Sequence, residues 1–206
     1  MSELRCTAYP TSVDHNSHIV SLTFPTVADY HTPIEVWGYR DAWADRFDAE
    51  RDRLVDAFDD GVVAVEHIGS TSVPGLAAKP IVDICPVVPD METAERQRSA
   101  LESLGYEFNA RREDWLAFER YDPDLPQQYN LHFHPTGSER LRRVLTFRDY
   151  LRDHDHARRA YESAKRHAAA AHPNDPSAYN DAKDDIAECL IVAAREAGYE
   201  PSFGSA

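Results

Sequence analysis

The stretch Glu66-His67-Ile68-Gly69-Ser70-Thr71-Ser72-Val73-Pro74-Gly75-Leu76-Ala77-Ala78-Lys79-Pro80-Ile81-Val82-Asp83-Ile84 decides the reading of this chain. Residues 62–68 form a short apolar run rich in β-branched side chains, and residues 81–88 form another, so each predicts a buried strand. Gly69 breaks the first run and opens a turn. Between the runs the chain is small and hydroxylated, a composition suited to bringing backbone close to a ligand. A tight turn capped by Ser70, with Asp83 merely closing a strand, is the plain structural alternative.

Outward from this centre the chain predicts an α+β domain, with a mixed sheet backed by helices and a helical C-terminal segment. Upstream, 34–39 reads as a short strand. A helix follows, because Trp43, Phe47, Leu54 and Phe58 recur at helical spacing and Asp59-Asp60-Gly61 makes a stop. Downstream, 91–104 reads as helix, 105–109, 115–121 and 129–134 as strands, and 138–197 as helices punctuated by Pro173 and Pro176. Residues 1–33 read as an arm and 34–200 as one domain.

Closely the same central motif defines the GrpB family, which this chain resembles. The resemblance continues through Leu131-His132-Phe133-His134, Phe147-Arg148-Asp149-Tyr150-Leu151, Tyr161 with Lys165, and Tyr179 with Lys183. It implies a nucleotidyltransferase-like fold of the polymerase-β type, in which a strand enters a Gly-Ser turn and a neighbouring strand presents a carboxylate pair. Ser70 and Asp83 here have 12 residues between them, which fits that arrangement. The implied site has Gly69, Ser70, Thr71 and Ser72 cradling phosphates, with Asp83 holding a divalent cation, Mg²⁺ or Mn²⁺, that bridges their oxygens.

Cys85 departs from the pattern, since it stands where the second carboxylate belongs and a neutral thiol is a poor ligand for a hard cation. His132 and His134, two apart on a strand, share a face, and a His pair would suit zinc or manganese better than magnesium. Glu66 and His67 point to opposite faces of their strand. Glu66 is the favoured spare carboxylate, and His67 is either a base or phosphate donor or a group that satisfies the turn.

Arg148 falls near the centre of the apolar stripe made by Leu141, Val144, Leu145 and Leu151, so its guanidinium needs a buried anion, either a carboxylate or a ligand phosphate. Lysine is scarce: only Lys79, Lys165 and Lys183 accompany the arginines among 22 basic residues. That retention singles them out, because a compact ammonium is not interchangeable with a planar guanidinium. Tyr161 with Lys165 and Tyr179 with Lys183 are i,i+4 pairs, able to stack a base and hold a phosphate.

Charge limits the partners. A net charge of −14 argues against general nucleic-acid binding, although residues 140–166 are locally basic and would attract an anionic ligand. No apolar run is long enough to span a membrane, no secretory leader is evident, and three scattered cysteines suggest no disulfide framework; a cytoplasmic protein is expected. The leading expectation is a protein that binds a nucleotide or related phosphorylated ligand with a divalent metal and has potential nucleotidyl-transfer chemistry. The alternatives are a non-catalytic binding or regulatory module that keeps the cradle, and a His-metal hydrolase. GrpB-like domains also resemble a segment appended to some dephospho-coenzyme A kinases, yet no kinase phosphate loop occurs here. The oligomeric state is left open.

Overall fold

The structure, a computed structural model, describes residues 33–123 and 127–200. The arm expected over 1–33 lies, but for its last residue, outside the described residues. Five strands, β1 (Ala64–Ile68), β2 (Ile81–Val88), β3 (Glu107–Arg112), β4 (Trp115–Asp122) and β5 (Gln127–Pro135), form one sheet in the order β1-β2-β5-β4-β3. β2 and β5 run parallel, while every other neighbouring pair is antiparallel. This is the mixed sheet the sequence predicts.

Alternation along the strands sorts the two faces. One face presents Val82, Ile84 and Val88 of β2 with Leu131 and Phe133 of β5. It is covered by α1 (Ala42–Ala57), α2 (Met91–Arg96) and α3 (Arg98–Ser103), with Trp43, Phe47 and Leu54 as the buried stripe of α1. The other face presents Ala64, Ile68, Cys85 and Val87, and is covered by Leu141, Val144 and Leu145 of α4 (Glu139–Asp153). Beyond α4, α5 (Asp155–Ala171) and α6 (Pro176–Glu196) build a second core with Val73 and Leu76 of the loop before β2. That packing fixes the loop between the sheet and the C-terminal helices.

Caps explain the helix starts. Ser138 Oγ accepts from the Leu141 amide at 3.0 Å, and Asp175 accepts from Ala178 at 3.0 Å with Pro176 in the first helical turn. Two readings change. Residues 34–39 form no strand, because Trp37 exchanges backbone hydrogen bonds only with Ala78, in the loop before β2. The helix expected over 91–104 divides at Gln97, whose buried side chain accepts from the Asp59 amide and donates to the Thr93 carbonyl. Among the described residues no helix is long and apolar enough to cross a membrane.

Candidate functional site

β1 ends at Ile68, opposite Asp83 in register, and Gly69 then turns the chain with φ 68° into a 3-10 turn at Ser70–Ser72. A Cβ on Gly69 would lie 2.2 Å from Asp83 Oδ2. Only glycine permits both the positive φ and this close approach of backbone to carboxylate.

The hydroxyls of the turn divide by task. Thr71 Oγ1 donates to the Ile81 carbonyl at 2.9 Å, and Ser72 Oγ donates to the Gly69 carbonyl at 2.6 Å. Both are spent holding the turn, so neither acts as a phosphate donor in this geometry. Ser70 is different: it lines a cavity of about 80 Å³, and its hydroxyl accepts from Lys165 Nζ at 2.9 Å. The cavity rim carries Gly69, Ser70, Asp83 and Arg148, and its wall carries Val73, Val144, Phe147, Leu151 and Tyr161.

Lys165 contacts this turn, and Lys183 and Lys79 meet at the Tyr179 ring. Lys165 is 2% exposed and also donates to the Ala77 carbonyl. Lys183 is 8% exposed and lies 5.3 Å from the centroid of the Tyr179 ring, while Lys79 reaches the same ring at 5.5 Å. Neither Lys165 nor Lys183 has a carboxylate at ion-pair distance among the described residues. Burial, with Lys183 next, holds Lys165 well below the ordinary lysine range. Burial, opposed by Asp184 and aided by Lys79, brings Lys183 down to about 8.

Arg148 contrasts with them. Its guanidinium donates to Glu66 at 2.6 Å, to Asp149 at 2.7 and 3.2 Å, and to the His67 carbonyl at 3.3 Å. Two carboxylates therefore match its charge, and it ties α4 to β1 as an internal ion pair. Glu66, engaged in that pair, is not a spare carboxylate. Arg152, one turn further along α4, donates to the Ser72 carbonyl at 3.1 Å and was not singled out from sequence, although its i,i+4 spacing from Arg148 was visible.

His67 faces away from the cleft. It stacks on Phe47 at 4.5 Å, and its Nε2 meets Thr71 Oγ1 at 3.1 Å. Because the Thr71 hydroxyl already donates to Ile81, the imidazole donates to it; burial, with Arg152 and Arg148 next, takes its pKa down to about 3. His67 thus supports the turn and does not reach the cleft as a base. Tyr161 and Tyr179 are buried too, Tyr161 edge-on against Phe147 at 5.0 Å and Tyr179 beside Lys79 and Lys183.

The donors around Asp83 test whether a cation fits. Asn130, its register partner on β5, donates to Asp83 Oδ1 at 3.3 Å, and His132 Nε2 lies 3.5 Å from the same oxygen. Trp115 Nε1, which can only donate, donates to His132 Nδ1 at 3.3 Å, so this network assigns the ring hydrogen to Nε2, aimed at Asp83. His132 in this tautomer offers a cation no lone pair on the side towards Asp83. His134 Nδ1 contacts the Asp114 carbonyl at 3.2 Å, and burial, then His132, takes its pKa down to about 3. Cys85 is fully buried in the apolar cluster under α4, where burial and Glu66 push its thiol up and keep it protonated. Among the described residues no three or more His, Cys, Asp or Glu are grouped to hold a metal. One carboxylate without a second hard ligand does not fit Mg²⁺.

Comparison with known proteins matches this architecture. A UPF0157 protein of Halalkalibacterium halodurans is 34% identical over 182 residues, covering 87% of this chain and 91% of that protein. The UPF0157 protein YqkA of Bacillus subtilis is 34% identical over 154 residues, and this chain spans 44% of its length. The crystal structure of the conserved protein GrpB from Enterococcus faecalis superposes with a TM-score of 0.70 at 29% identity, covering 80% of this chain and all of that one. The Cid1 poly(U) polymerase is more distant, with a TM-score of 0.47 at 15% identity over 65% of this chain and 43% of that one. GrpB protein is the family whose pattern matches residues 33–191, a span that holds the whole sheet, the Gly69 turn and all three lysines, and the chain belongs to the GrpB family.

Proposed function

We propose that this protein binds a small phosphorylated ligand at the mouth of the Gly69–Ser70 turn, with Lys183 and Lys79 as counter-charges and Ser70 at the reacting end. The observation that carries this reading is the pair of buried lysines without an ion-pair partner among the described residues. A buried charge is costly unless matched, and an incoming phosphate would match Lys183. Asp83 opposes an anion that comes too close, so the phosphate is expected on the lysine side of the turn.

Of the chemistries expected from sequence, the binding reading is supported best. Metal-dependent nucleotidyl transfer needs at least two hard ligands, and Asp83 stands beside a protonated thiol, an amide and a donating imidazole. The His-metal hydrolase reading meets the same obstacle at His132.

Thermal unfolding with inorganic phosphate, pyrophosphate, ATP and coenzyme A precursors, each with and without Mg²⁺ or Mn²⁺, tests the reading. A ligand at 100 times its Kd adds about 2.7 kcal/mol. A metal-independent rise in Tm that is lost in Lys183→Met is the expected result. No shift with any phosphorylated compound would overturn the reading, and a shift that needs the metal would favour transfer chemistry instead.

A further inference from the structure

The cavity contains a pairing that phosphate binding does not require. Ser70 lines the cavity, and its Oγ accepts its one hydrogen bond among the described residues from Lys165 Nζ, at 2.9 Å. Lys165 does not line the cavity; it stands behind Ser70 and is anchored from the other side by the Ala77 carbonyl. Thr71 and Ser72, the hydroxyl neighbours, are turned inward to backbone carbonyls. One of the three hydroxyl residues therefore lines the cavity, and it is the one backed by an amine.

From this geometry we infer that Ser70 is a nucleophile and Lys165 the base that takes its proton, acting on a phosphoryl centre that carries a small apolar group. A nucleophile and its base belong within about 2.6–3.2 Å of each other, and the 2.9 Å separation meets that. As a neutral amine, Lys165 keeps an N–H for Ala77 and turns its lone pair to the Ser70 O–H. The groups that act on it are Lys183 on α6, Glu162 and Arg166 on its own helix, and the Tyr161 ring at 4.9 Å. Burial and Lys183 favour the neutral form, Glu162 opposes it, and burial is the largest influence.

The step balances without a cofactor. Ser70 Oγ bonds to phosphorus as its proton passes to Lys165 Nζ, the bond from phosphorus to the leaving oxygen breaks, and the leaving oxygen takes a proton from solvent. Water or an alcohol then attacks phosphorus and loses its proton to solvent, the Oγ–P bond breaks, and Lys165 returns the held proton to Ser70 Oγ. The apolar part of the lining, Val73, Val144, Phe147 and Leu151, suits a short alkyl substituent.

The natural substrate rests on the phosphate-binding reading, but the reactivity of Ser70 does not, and diisopropyl fluorophosphate separates the two. Its isopropyl groups suit the wall and fluoride is the leaving group, so labelling needs no lysine-bound phosphate. Peptide mapping of the full chain is expected to find the label on Ser70, absent in Ser70→Ala and slowed about 100-fold in Lys165→Met, with Lys165→Arg failing to rescue because a guanidinium stays protonated. Circular dichroism checks that each variant is folded. Should Lys165→Met not fold, the wild-type labelling rate decides: it should rise with pH and level off below pH 10, whereas a free serine keeps rising. Absence of label on Ser70, or a rate indifferent to both Lys165 and pH, would overturn the inference. Labelling without any thermal shift by phosphate compounds would leave it standing while removing the phosphate reading.

Discussion

Two buried sets of cations flank the same turn and are solved in opposite ways. On the α4 side, Arg148 is gripped by Glu66 and Asp149. On the α5 and α6 side, Lys165 and Lys183 are surrounded by a hydroxyl, a carbonyl and aromatic rings. A guanidinium between two carboxylates holds helix to sheet, and its removal takes the shared counter-charge from two half-buried anions. Lys183, which Asp184 and Asp83 influence only from beyond ion-pair distance, is poised to gain stability from an anion that the fold itself does not place against it. Burial alone does not mark a site; the absence of internal compensation does.

The comparison breaks first at Arg148. Replacing it with Met removes the guanidinium that Glu66 and Asp149 share, and the expected loss is about 3 kcal/mol in a urea melt; a loss within about 0.5 kcal/mol would show that the pair is not structural. A smaller effect belongs to the turn between the two sets. Gly69→Ala forces a positive φ on a side chain whose Cβ meets the Asp83 carboxylate, and should cost about 2 kcal/mol. Adding Asp83→Ala removes the collision and should recover part of that loss, which a double-mutant cycle measures.

Lys183 sharpens the contrast through pH. Its folded pKa, about 8, lies below the 10.5 of the free side chain, so between those values the unfolded chain binds more protons than the folded one. Stability from this group is therefore lowest below pH 8 and rises with pH towards 10.5. From pH 8 to 9.5 wild type should gain roughly 2 kcal/mol relative to Lys183→Met, read from paired denaturant melts. A flat difference would mean that Lys183 is compensated after all. At neutral pH, Lys183→Met itself should leave stability unchanged or raise it by about 1 kcal/mol, the opposite sign to Arg148→Met.

Much of this was legible in the sequence. The strands around Gly69 follow from β-branched runs, the burial of Arg148 from helical periodicity, and the lysines stood out because arginine fills nearly every other basic position. What escaped depends on contacts between distant segments. No local pattern says that Trp115 claims His132 Nδ1, that Thr71 and Ser72 turn to backbone carbonyls, or that Tyr161 packs edge-on against Phe147. Asn130 was within reach, since it lies two residues before His132 and shares its face. The replacement of a carboxylate by Cys85 was visible, but its burial under α4 was not. Because of that burial, Cys85→Asp is expected to unfold the cluster around Leu141 and Leu145 rather than to complete a Mg²⁺ site.

The central claim, that the uncompensated lysines await an anion, is tested most directly by calorimetry of ATP binding at pH 8.5, where the triphosphate is fully ionised, in two buffers of different ionisation enthalpy. An anion beside Lys183 must raise its pKa from about 8, so binding should take up protons, and the uptake should fall in Lys183→Met. Binding without proton uptake, or no binding at all, would contradict the account.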